Sequence, residues 1–463
     1  MQVHFISIFF LFVISVSVNA DDFSGQDFSG IEKIVNQFID PSESWMKNAI
    51  NRIKDNRMVN YTIIVYDKKT KQPVKGAEIN IRQLRNDFDF GAVISRNFFK
   101  EGRHSRRSGG SYKLERELFL KFGFTKAGFC NSLKYKLFKE EDTSSINEVI
   151  AWFRSNKVDV RGHTLIWPGN DHFPKDLAEM CYDLSNSKNK KNSLKKSYTE
   201  QEKRDIQKYA DKMIVSFSKK WDVDEWDVYN EPNGNHVIQD IVGKQLAPHW
   251  FKLARDNVRN KNAKLYINDF AILYSPLNLK KINNNGKKLN RAESYYKLIK
   301  ELKKQNVEMD GVGFQGRWKT KDTDLDQFYK TLDEFSKFGY DMSITEFEVK
   351  NDDLTELEAA ERTAYILTLF FSHPKTVAFY SWDPFDGGYP MVNKDGSLRL
   401  NGKVWLYLTK NLWLTSLDQK TGNRGLSFKG FKGLYNIEVK YKSRKREGQI
   451  KLNENKTLIR IFI

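Results

Sequence analysis

Two short apolar stretches of the chain carry glutamates that together would allow one kind of chemistry. Glu231 closes DEWDVYNE (224–231), and Glu346 lies near the end of DMSITEF (341–347). Cleavage of a glycosidic bond needs one protonated carboxyl to donate to the leaving oxygen and one ionised carboxylate at the anomeric carbon. The two glutamates are therefore candidate catalytic groups of a glycoside hydrolase.

Polar and aromatic side chains end most of the apolar runs in the middle of the chain. In a parallel barrel the carboxyl ends of the strands meet at one face, where the active site lies. One such residue is most often a loop cap or a surface charge, but six runs that share the feature indicate a common site. The residues are Arg161, His163 and Trp167; Asn230 and Glu231; Asn268 and Asp269; Gln315 and Arg317; Glu346 and Glu348; and Trp382 and Asp383.

The elements that would position these residues alternate between strand and helix. Helical spacing is clear in the stripe Tyr295, Leu298, Ile299 and Leu302, and a second helix is predicted from an N-cap at Asp353 to Phe371. Eight strands with intervening helices predict an α/β fold, a (β/α)8 TIM barrel, although periodicity alone leaves an open doubly wound sheet as an alternative. The eight runs are FDFGAVI (88–94), FGFTKAGFC (122–130), VDVRGHTLIW (158–167), DEWDVYNE (224–231), KLYINDF (264–270), DGVGFQG (310–316), DMSITEF (341–347) and TVAFYSW (376–382).

Both ends of the chain show the two-residue alternation of antiparallel strands. It occurs in VNYTIIVY (59–66) and again through Ala77, Ile79 and Ile81, and it returns around residues 435–441 and 457–463. Neither end has enough strands to fold by itself, so we predict that the two pieces form one small β-sandwich beside the barrel.

These patterns divide the chain into four parts. Residues 1–20 contain no charged side chain, are apolar from Phe5 to Val18 and close on small residues, which is typical of a cleaved secretory signal peptide. We predict an N-terminal segment at 21–84 that carries β-strands of the accessory domain, a catalytic barrel at 85–415, and the C-terminal accessory strands at 416–463.

Composition narrows the class of protein further. The 40% hydrophobic and 14% aromatic content exclude a disordered tail or linker, and the net charge of +18 suits either anionic polymers outside the cell or simple solubility. Two cysteines, Cys130 and Cys181, permit at most one internal disulfide. A secreted enzyme cannot rely on nucleotide cofactors, and no Gly-rich phosphate loop is present, so we expect no cofactor. We also expect a secreted monomer with no metal and no nucleic-acid or membrane partner.

Several segments resemble the motifs of glycoside hydrolase family 10, the endo-β-1,4-xylanases. WDVYNE (226–231) resembles its acid/base motif, and ITEFEV (344–349) resembles its nucleophile motif. RGHTLIW (161–167), LYINDF (265–270) and GVGFQG (311–316) match its third, fifth and sixth strands in the correct order. The resemblance covers residues 46–463 and is closest to plant-type members, which carry a similar lead-in and a β-rich tail.

The resemblance implies a role for each matching residue. Glu231 would be the general acid/base and Glu346 the nucleophile of a retaining mechanism, and Asn230 would bond the hydroxyl beside the anomeric carbon. The remaining substrate-binding residues would be Asn131, Lys134, His163, Trp167, Gln315 and Trp382.

The chain departs from the family pattern around the nucleophile. Arg317 stands where the family usually has a His, and Glu348 stands where it has an Asp. A permanent cation beside Glu346 would hold that carboxylate ionised and could lower its nucleophilicity, unless Glu348 takes Arg317 as its ion-pair partner instead. Cys130 replaces a Glu that binds the sugar, so the preferred sugar or the affinity would change.

Three hypotheses follow. The first is an active secreted endo-glycanase acting on β-1,4-xylan or glucuronoxylan. The second is a weakly active or non-catalytic carbohydrate-binding homologue, against which the retention of both catalytic glutamates argues. The third is a basic protein that binds acidic polymers with the barrel as a scaffold.

Overall fold

A computed structural model describes residues 28–94, 112–138, 140, 143–169, 172–183, 193–282, 288–318, 324–349, 353–385 and 387–463. The predicted signal segment at 1–20 lies outside the described residues. Among the described residues, the helices are α1 (Glu32–Ile39), α2 (Ser44–Asn56), α3 (Tyr112–Phe122), α4 (Thr143–Ser155), α5 (Lys175–Cys181), α6 (Glu200–Lys220), α7 (Val237–Val242), α8 (Leu246–Asn257), α9 (Leu279–Ile282), α10 (Arg291–Lys304), α11 (Leu325–Ser336), α12 (Glu356–Ser372) and α13 (Leu400–Leu406), with a π-helical turn at Tyr407–Leu412.

The strands are short and follow the apolar runs of the sequence. They are β1 (Met58–Tyr66), β2 (Glu78–Asn86), β3 (Asp89–Ile94), β4 (Lys126–Phe129), β5 (Asp159–Ile166), β6 (Tyr182–Asp183), β7 (Ser193–Leu194), β8 (Glu225–Asn230), β9 (Lys264–Asp269), β10 (Gly311–Phe314), β11 (Arg317–Trp318), β12 (Asp341–Val349), β13 (Thr376–Trp382), β14 (Ser416–Lys420), β15 (Leu426–Phe431), β16 (Gly433–Tyr441), β17 (Arg444–Leu452) and β18 (Leu458–Phe462).

Eight of these strands close into a parallel barrel. Their order around it is β3, β4, β5, β8, β9, β10, β12 and β13, and β13 pairs with β3 to complete the circle. β10 pairs directly with β12. The two-residue strand β11 pairs with the carboxyl end of β12. The closure confirms the predicted (β/α)8 barrel and excludes the open sheet.

Charged side chains line part of the barrel interior. Strand alternation turns every second residue inward, and on β5 and β8 those residues include Arg161, Glu225 and Asp227, all almost fully buried. Arg161 bonds both carboxylates, with Nε 2.8 Å from Glu225 Oε1. Lys126 on β4 continues the chain of ion pairs, 3.3 Å from Glu225 and 3.1 Å from Asp89. Each buried charge therefore has a partner, as burial requires.

The helices pack against the barrel through apolar stripes, and the predicted stripe lies on α10, where Tyr295, Ile299 and Leu302 are buried. The predicted N-cap at Asp353 is wrong. α12 begins after Thr355, whose hydroxyl accepts the Glu358 N–H while the Glu358 carboxylate accepts the Thr355 N–H. This reciprocal capping box fixes the helix start two residues later than expected.

Two further helices precede the first barrel strand and were not predicted. α1 and α2 bury Ile34, Phe38 and Ile53 in the same core cluster as the barrel. Arg57, just after α2, donates to the carbonyls of Phe371, His373 and Thr376 behind α12. The N-terminal segment therefore belongs partly to the barrel's packing.

Two small sheets flank the barrel and unite the ends of the chain. One sheet has the order β15-β1-β18 and the other the order β14-β2-β16-β17. Their facing apolar side chains form a separate core cluster that includes Ile63, Ile81, Phe428, Val439 and Ile459. The predicted β-sandwich of N- and C-terminal strands is confirmed. The domain boundaries at 84/85 and 415/416 stay predictions.

Within the described part of the chain, none of the helices combines the length and apolar character that crossing a membrane requires.

Candidate active site

The carboxyl ends of the barrel strands bring the two candidate glutamates to one site. Glu231 directly follows β8, in the left-handed region at φ 56°, and its N–H donates to the Asn268 carbonyl at 2.7 Å. Glu346 lies on β12, and its N–H donates to the Gln315 carbonyl at 2.8 Å. The side chain of the same Gln315 donates to the Glu231 carboxyl, so this residue joins the Glu231 side chain to the backbone of Glu346.

The Glu231 carboxyl is surrounded by donors in a mainly buried position. Oε1 accepts from Gln315 Nε2 at 2.7 Å, and Oε2 accepts from Trp167 Nε1 and Asn235 Nδ2, each at 3.0 Å. Burial raises the pKa of Glu231, and the charge of Glu346 adds to the rise, against the opposing effect of the Gln315 and Trp167 hydrogen bonds. Glu231 is thus suited to hold a proton.

The Glu346 carboxylate is almost fully buried beside two cations. Oε2 accepts from Arg317 Nε at 3.1 Å and from Nη2 at 2.7 Å, while Oε1 has a long contact of 3.5 Å from Asn268 Nδ2. Burial acts to raise its pKa, but the charges of Arg317 and Lys134 outweigh that effect and lower it. The two glutamates therefore differ in pKa in opposite directions, which is the pattern of an acid and nucleophile pair.

Arg317 contacts two carboxylates of β12, those of Glu346 and Glu348. Its Nη1 lies 3.5 Å from Glu348 Oε2, a longer contact than either bond to Glu346. Glu348 also accepts the Gly388 N–H at 2.7 Å. The expectation that Glu348 would take Arg317 instead of Glu346 is therefore wrong: the guanidinium spans both, and its shorter bonds go to Glu346. Its Cζ also lies 4.0 Å from the ring centre of Trp382.

His163 lies between the buried ion pairs of the barrel and the Glu346 carboxylate. Its Nδ1 forms a 2.6 Å hydrogen bond with Asp227 Oδ2, and its Nε2 is 3.9 Å from Glu346 Oε1. Burial lowers the pKa of His163 well below its usual value, with Lys134 and Arg161 adding to the effect. The ring is therefore neutral at pH 7. Burial raises the pKa of Asp227 to about 6 despite the Arg161 guanidinium.

Asn230 has one side-chain donor without a protein partner. Its Oδ1 accepts from Asn268 Nδ2 at 3.0 Å, which fixes the orientation of the amide. Its Nδ2 is fully buried and makes no hydrogen bond with the described residues. An unpaired buried donor is costly in a folded protein, so this position suits a hydrogen bond to a ligand.

Aromatic and basic side chains form one wall of the site. Lys134 Nζ lies 4.7 Å from the ring centre of Trp167 and 5.9 Å from that of Trp382. Trp167 stacks on His172 with ring centres 3.3 Å apart. Asn131, Lys134 and Trp167 line a pocket of about 240 Å³. All the predicted substrate-binding residues therefore lie along the strand ends around the two glutamates.

Sequence reasoning missed three contributors to the site, Asn235, His172 and Asp227, and it placed Asn268 at the site without giving it a contact. Asn235, four residues after Glu231, bonds its carboxyl, and His172 supports Trp167. Asn268 contacts both Asn230 and Glu346, and Asp227 orients His163. Asp227 could have been found, because it lies at an inward position of a strand that was already assigned to the barrel.

The two cysteines are both buried and unpaired. Burial raises the pKa of the Cys130 thiol well above its usual value, so it is a neutral group in the same cluster as Trp382. Among the described residues, no three His, Cys, Asp or Glu side chains are grouped so that they could hold a metal ion.

A closed (β/α)8 barrel with a paired acid and carboxylate at its strand ends is an architecture of glycoside hydrolases. The sequence model of Glycosyl hydrolase family 10 matches residues 124–389. This match spans more than half of the chain, and the chain belongs to that family.

Curated relatives agree over longer stretches at low identity. The anti-sigma-I factor RsgI6 of Acetivibrio thermocellus is 24% identical over 85% of this chain and 46% of its own length. Endo-1,4-beta-xylanase 1 of Arabidopsis thaliana is 23% identical over 79% of this chain and 34% of its own length. The chain thus spans less than half of either relative.

Solved structures share the fold. Xylanase 10B from Thermotoga petrophila RKU-1, crystallised in complex with xylobiose, superposes with a TM-score of 0.54 at 18% identity over 70% of this chain and 94% of that one.

Proposed function

We propose that the chain is a secreted, monomeric retaining endo-glycosidase that hydrolyses β-1,4-xylan or glucuronoxylan. Glu231 is its acid/base and Glu346 its nucleophile. The observation that carries the proposal is geometric: one site holds the Glu231 carboxyl among neutral donors and the Glu346 carboxylate against the Arg317 guanidinium, and the directions of the two pKa shifts agree with it. Family membership and the xylanases among the relatives support xylan as the substrate.

In the first step, the protonated Glu231 donates to the glycosidic oxygen while Glu346 attacks the anomeric carbon. Retention requires the two carboxyl groups to lie about 5–5.5 Å apart. Glu346 Oε1 has two long contacts, 3.5 Å from Asn268 Nδ2 and 3.9 Å from His163 Nε2, whereas Oε2 is held by two Arg317 bonds, so Oε1 is the oxygen that attacks. The leaving group departs with the proton from Glu231.

In the second step, the ionised Glu231 takes a proton from water, which then displaces Glu346 from the sugar. The free Nδ2 of Asn230 would bond the hydroxyl beside the anomeric carbon, an interaction that strengthens as positive charge develops there. Trp167 and Trp382 would stack on sugar rings.

A carbohydrate-binding protein with slow turnover is the second candidate, and Arg317 favours it. Two N–H donors of a permanent cation stabilise the nucleophile in its ground state. That stabilisation is lost when the carboxylate forms a bond to carbon, so it raises the barrier of the first step.

A hydrolysis screen with matched variants tests the proposal. Xylan, glucuronoxylan, β-glucan, cellulose and mannan are incubated with the parent, Glu231→Ala and Glu346→Gln, and released sugars are measured. We expect release from the xylans and a loss of about 10²–10⁴-fold or more in both variants. Azide or formate should restore turnover in a Glu346→Ala variant, with an inverted product.

Two results would count against the proposal. Binding of xylan without any release by the parent favours the second candidate, and release that survives both substitutions removes the two glutamates from the mechanism.

A further inference from the structure

A large cavity lies at the end of the barrel opposite the two glutamates, where the barrel meets the β-sandwich. Its volume is about 500 Å³. Trp413, one of its walls, stacks on Phe90 near the start of β3, with ring centres 6.0 Å apart. The proposed catalytic mechanism gives this cavity no role.

The floor of the cavity is apolar. Residues from α1, α2, β1, β15, the end of the π-helical turn and the residue after it form the floor, namely Phe38, Ile50, Ile53, Met58, Leu412, Trp413 and Phe431. A cavity of 300–1,000 Å³ with mainly apolar walls and a few polar groups is the usual form of a small-molecule site.

The polar groups around this floor are strongly biased in charge. The cavity is lined by Lys54, Arg82, Lys121, Lys410 and Lys429, and no Asp or Glu is among the described residues that line it. Arg82 is neutralised by Asp418 at 2.6 Å. The four lysines make no ion pair or hydrogen bond through their ammonium groups with any described residue, so their positive charge is uncompensated within the cavity.

Lys410 is the deepest of these cations. It lies in the π-helical turn Tyr407–Leu412, a local backbone form that occurs frequently at functional sites. Its side chain is largely buried, and that burial lowers its pKa. Its Nζ packs against Gly123, so closely that a Cβ added there would be 1.8 Å away. An uncompensated, buried ammonium is costly, and a ligand anion would remove that cost.

We propose that this cavity binds an amphipathic carboxylate, with its apolar body on the floor around Trp413 and its carboxylate against Lys410. The head group of the ligand is inferred to be an anion, because the residues that line the cavity include cations and no Asp or Glu. The rest of the ligand is inferred to be apolar, because a small inorganic anion would leave the apolar floor of the cavity exposed to water.

Calorimetric titration of the full chain with decanoate, below its critical micelle concentration and at low ionic strength, tests the proposal. We expect one saturable site, with affinity rising about fourfold for each methylene from octanoate to decanoate. The uncharged 1-decanol and the cationic decyltrimethylammonium should bind on the order of tenfold more weakly or not at all.

Variants distinguish binding at the proposed site from nonspecific hydrophobic binding elsewhere on the protein. Lys410→Met should weaken decanoate binding on the order of tenfold and leave 1-decanol binding unchanged, while Lys208→Met, at an exposed position on α6, should change neither. Xylan hydrolysis should be the same in all three proteins. The same titration of Lys121→Met measures whether this exposed lysine of the cavity lining also contributes to decanoate binding.

Two results would overturn the proposal. Equal binding of decanoate and 1-decanol would mean an apolar crevice without charge selection. Unchanged decanoate binding by Lys410→Met, with a loss of thermal stability, would assign Lys410 to the C-terminus of α3, where a cation is also favourable.

Discussion

At the scale of single residues, the main electrostatic feature of the site is the Arg317 cation beside the Glu346 carboxylate. Arg317 lowers the pKa of Glu346 against the effect of burial and stacks on Trp382 at the same time. The planar guanidinium can do both because its edge donates while its face remains apolar. Substitution at this position should therefore change chemistry and substrate contact together.

We expect Arg317→His to raise kcat on xylan by roughly tenfold, because a charged hydrogen bond of about 1.5–3 kcal/mol no longer stabilises the ground state. Arg317→Lys keeps the charge without the two-donor fork and should gain less. Steady-state kinetics on both variants make the comparison. An unchanged or lower rate in Arg317→His removes the idea that this residue slows the enzyme.

The pH profile of kcat/KM gives a second test at this scale. Glu346 must be ionised, so activity is lost as the pH falls through its lowered pKa; Glu231 must be protonated, so activity is lost as the pH rises through its raised pKa. Arg317→His should move the acidic limb to higher pH and leave the alkaline limb nearly in place. Movement of the alkaline limb alone would contradict the assignment.

The types of the site residues could be predicted from sequence, but their mutual contacts could not. Strand ends and motif spacing identify Glu231, Glu346 and Arg317 directly. Whether Arg317 bonds Glu346 or Glu348 depends on differences of less than one ångström between side chains. The predicted roles of the site residues stay predictions until the kinetics are measured.

At the scale of elements, buried ion pairs between side chains of β5 and β8 stabilise the barrel. We expect Arg161→Met to cost about 3–5 kcal/mol of unfolding free energy, because Glu225 and Asp227 stay buried without their shared cation. The pKa of Asp227, already raised to about 6, would rise further. A raised carboxyl pKa removes stability as the pH increases, so the loss should be larger at pH 8 than at pH 5.

Urea unfolding at the two pH values measures this effect. Lys252→Met, which breaks an exposed pair on α8, is the matched control and should cost less than about 1 kcal/mol. A loss for Arg161→Met that is equal at both pH values would argue against Asp227 as the group responsible.

The start of α12 provides a smaller and cleaner test. Thr355→Ala removes the hydroxyl that accepts the Glu358 N–H, and it should cost about 0.5–2 kcal/mol. Thr355→Ser keeps the hydroxyl and should stay within a few tenths of the parent. Thermal unfolding of the three proteins decides whether the cap acts as described.

Strand positions were predictable because each barrel strand is an apolar run with a polar end. α1 and α2 were not, since their place is set by contacts with residues more than 300 positions away. Arg57 and the carbonyl of Phe371 illustrate this, because nothing near Arg57 in sequence reveals that partner.

At the scale of the whole molecule, the charge of +18 should affect attachment more than chemistry. Retention of the protein on insoluble glucuronoxylan should fall steeply with salt, because the Debye length shrinks from about 10 Å at 0.1 M to about 3 Å at 1 M. Hydrolysis of short neutral xylo-oligosaccharides should change little over the same range. If both fall together, charge takes part in the reaction itself.

The way β1 is paired has a consequence for how the chain is made. It hydrogen-bonds to β15 on one side and to β18 on the other, so its two neighbours lie about 370 and about 400 residues downstream. While the polypeptide grows on the ribosome, the apolar faces of residues 58–86 stay uncovered until their partner strands, β14 to β18, have been synthesised. Contacts so distant in sequence form slowly, and the sandwich should therefore be the last part of the molecule to assemble and the part most in need of chaperones during translation.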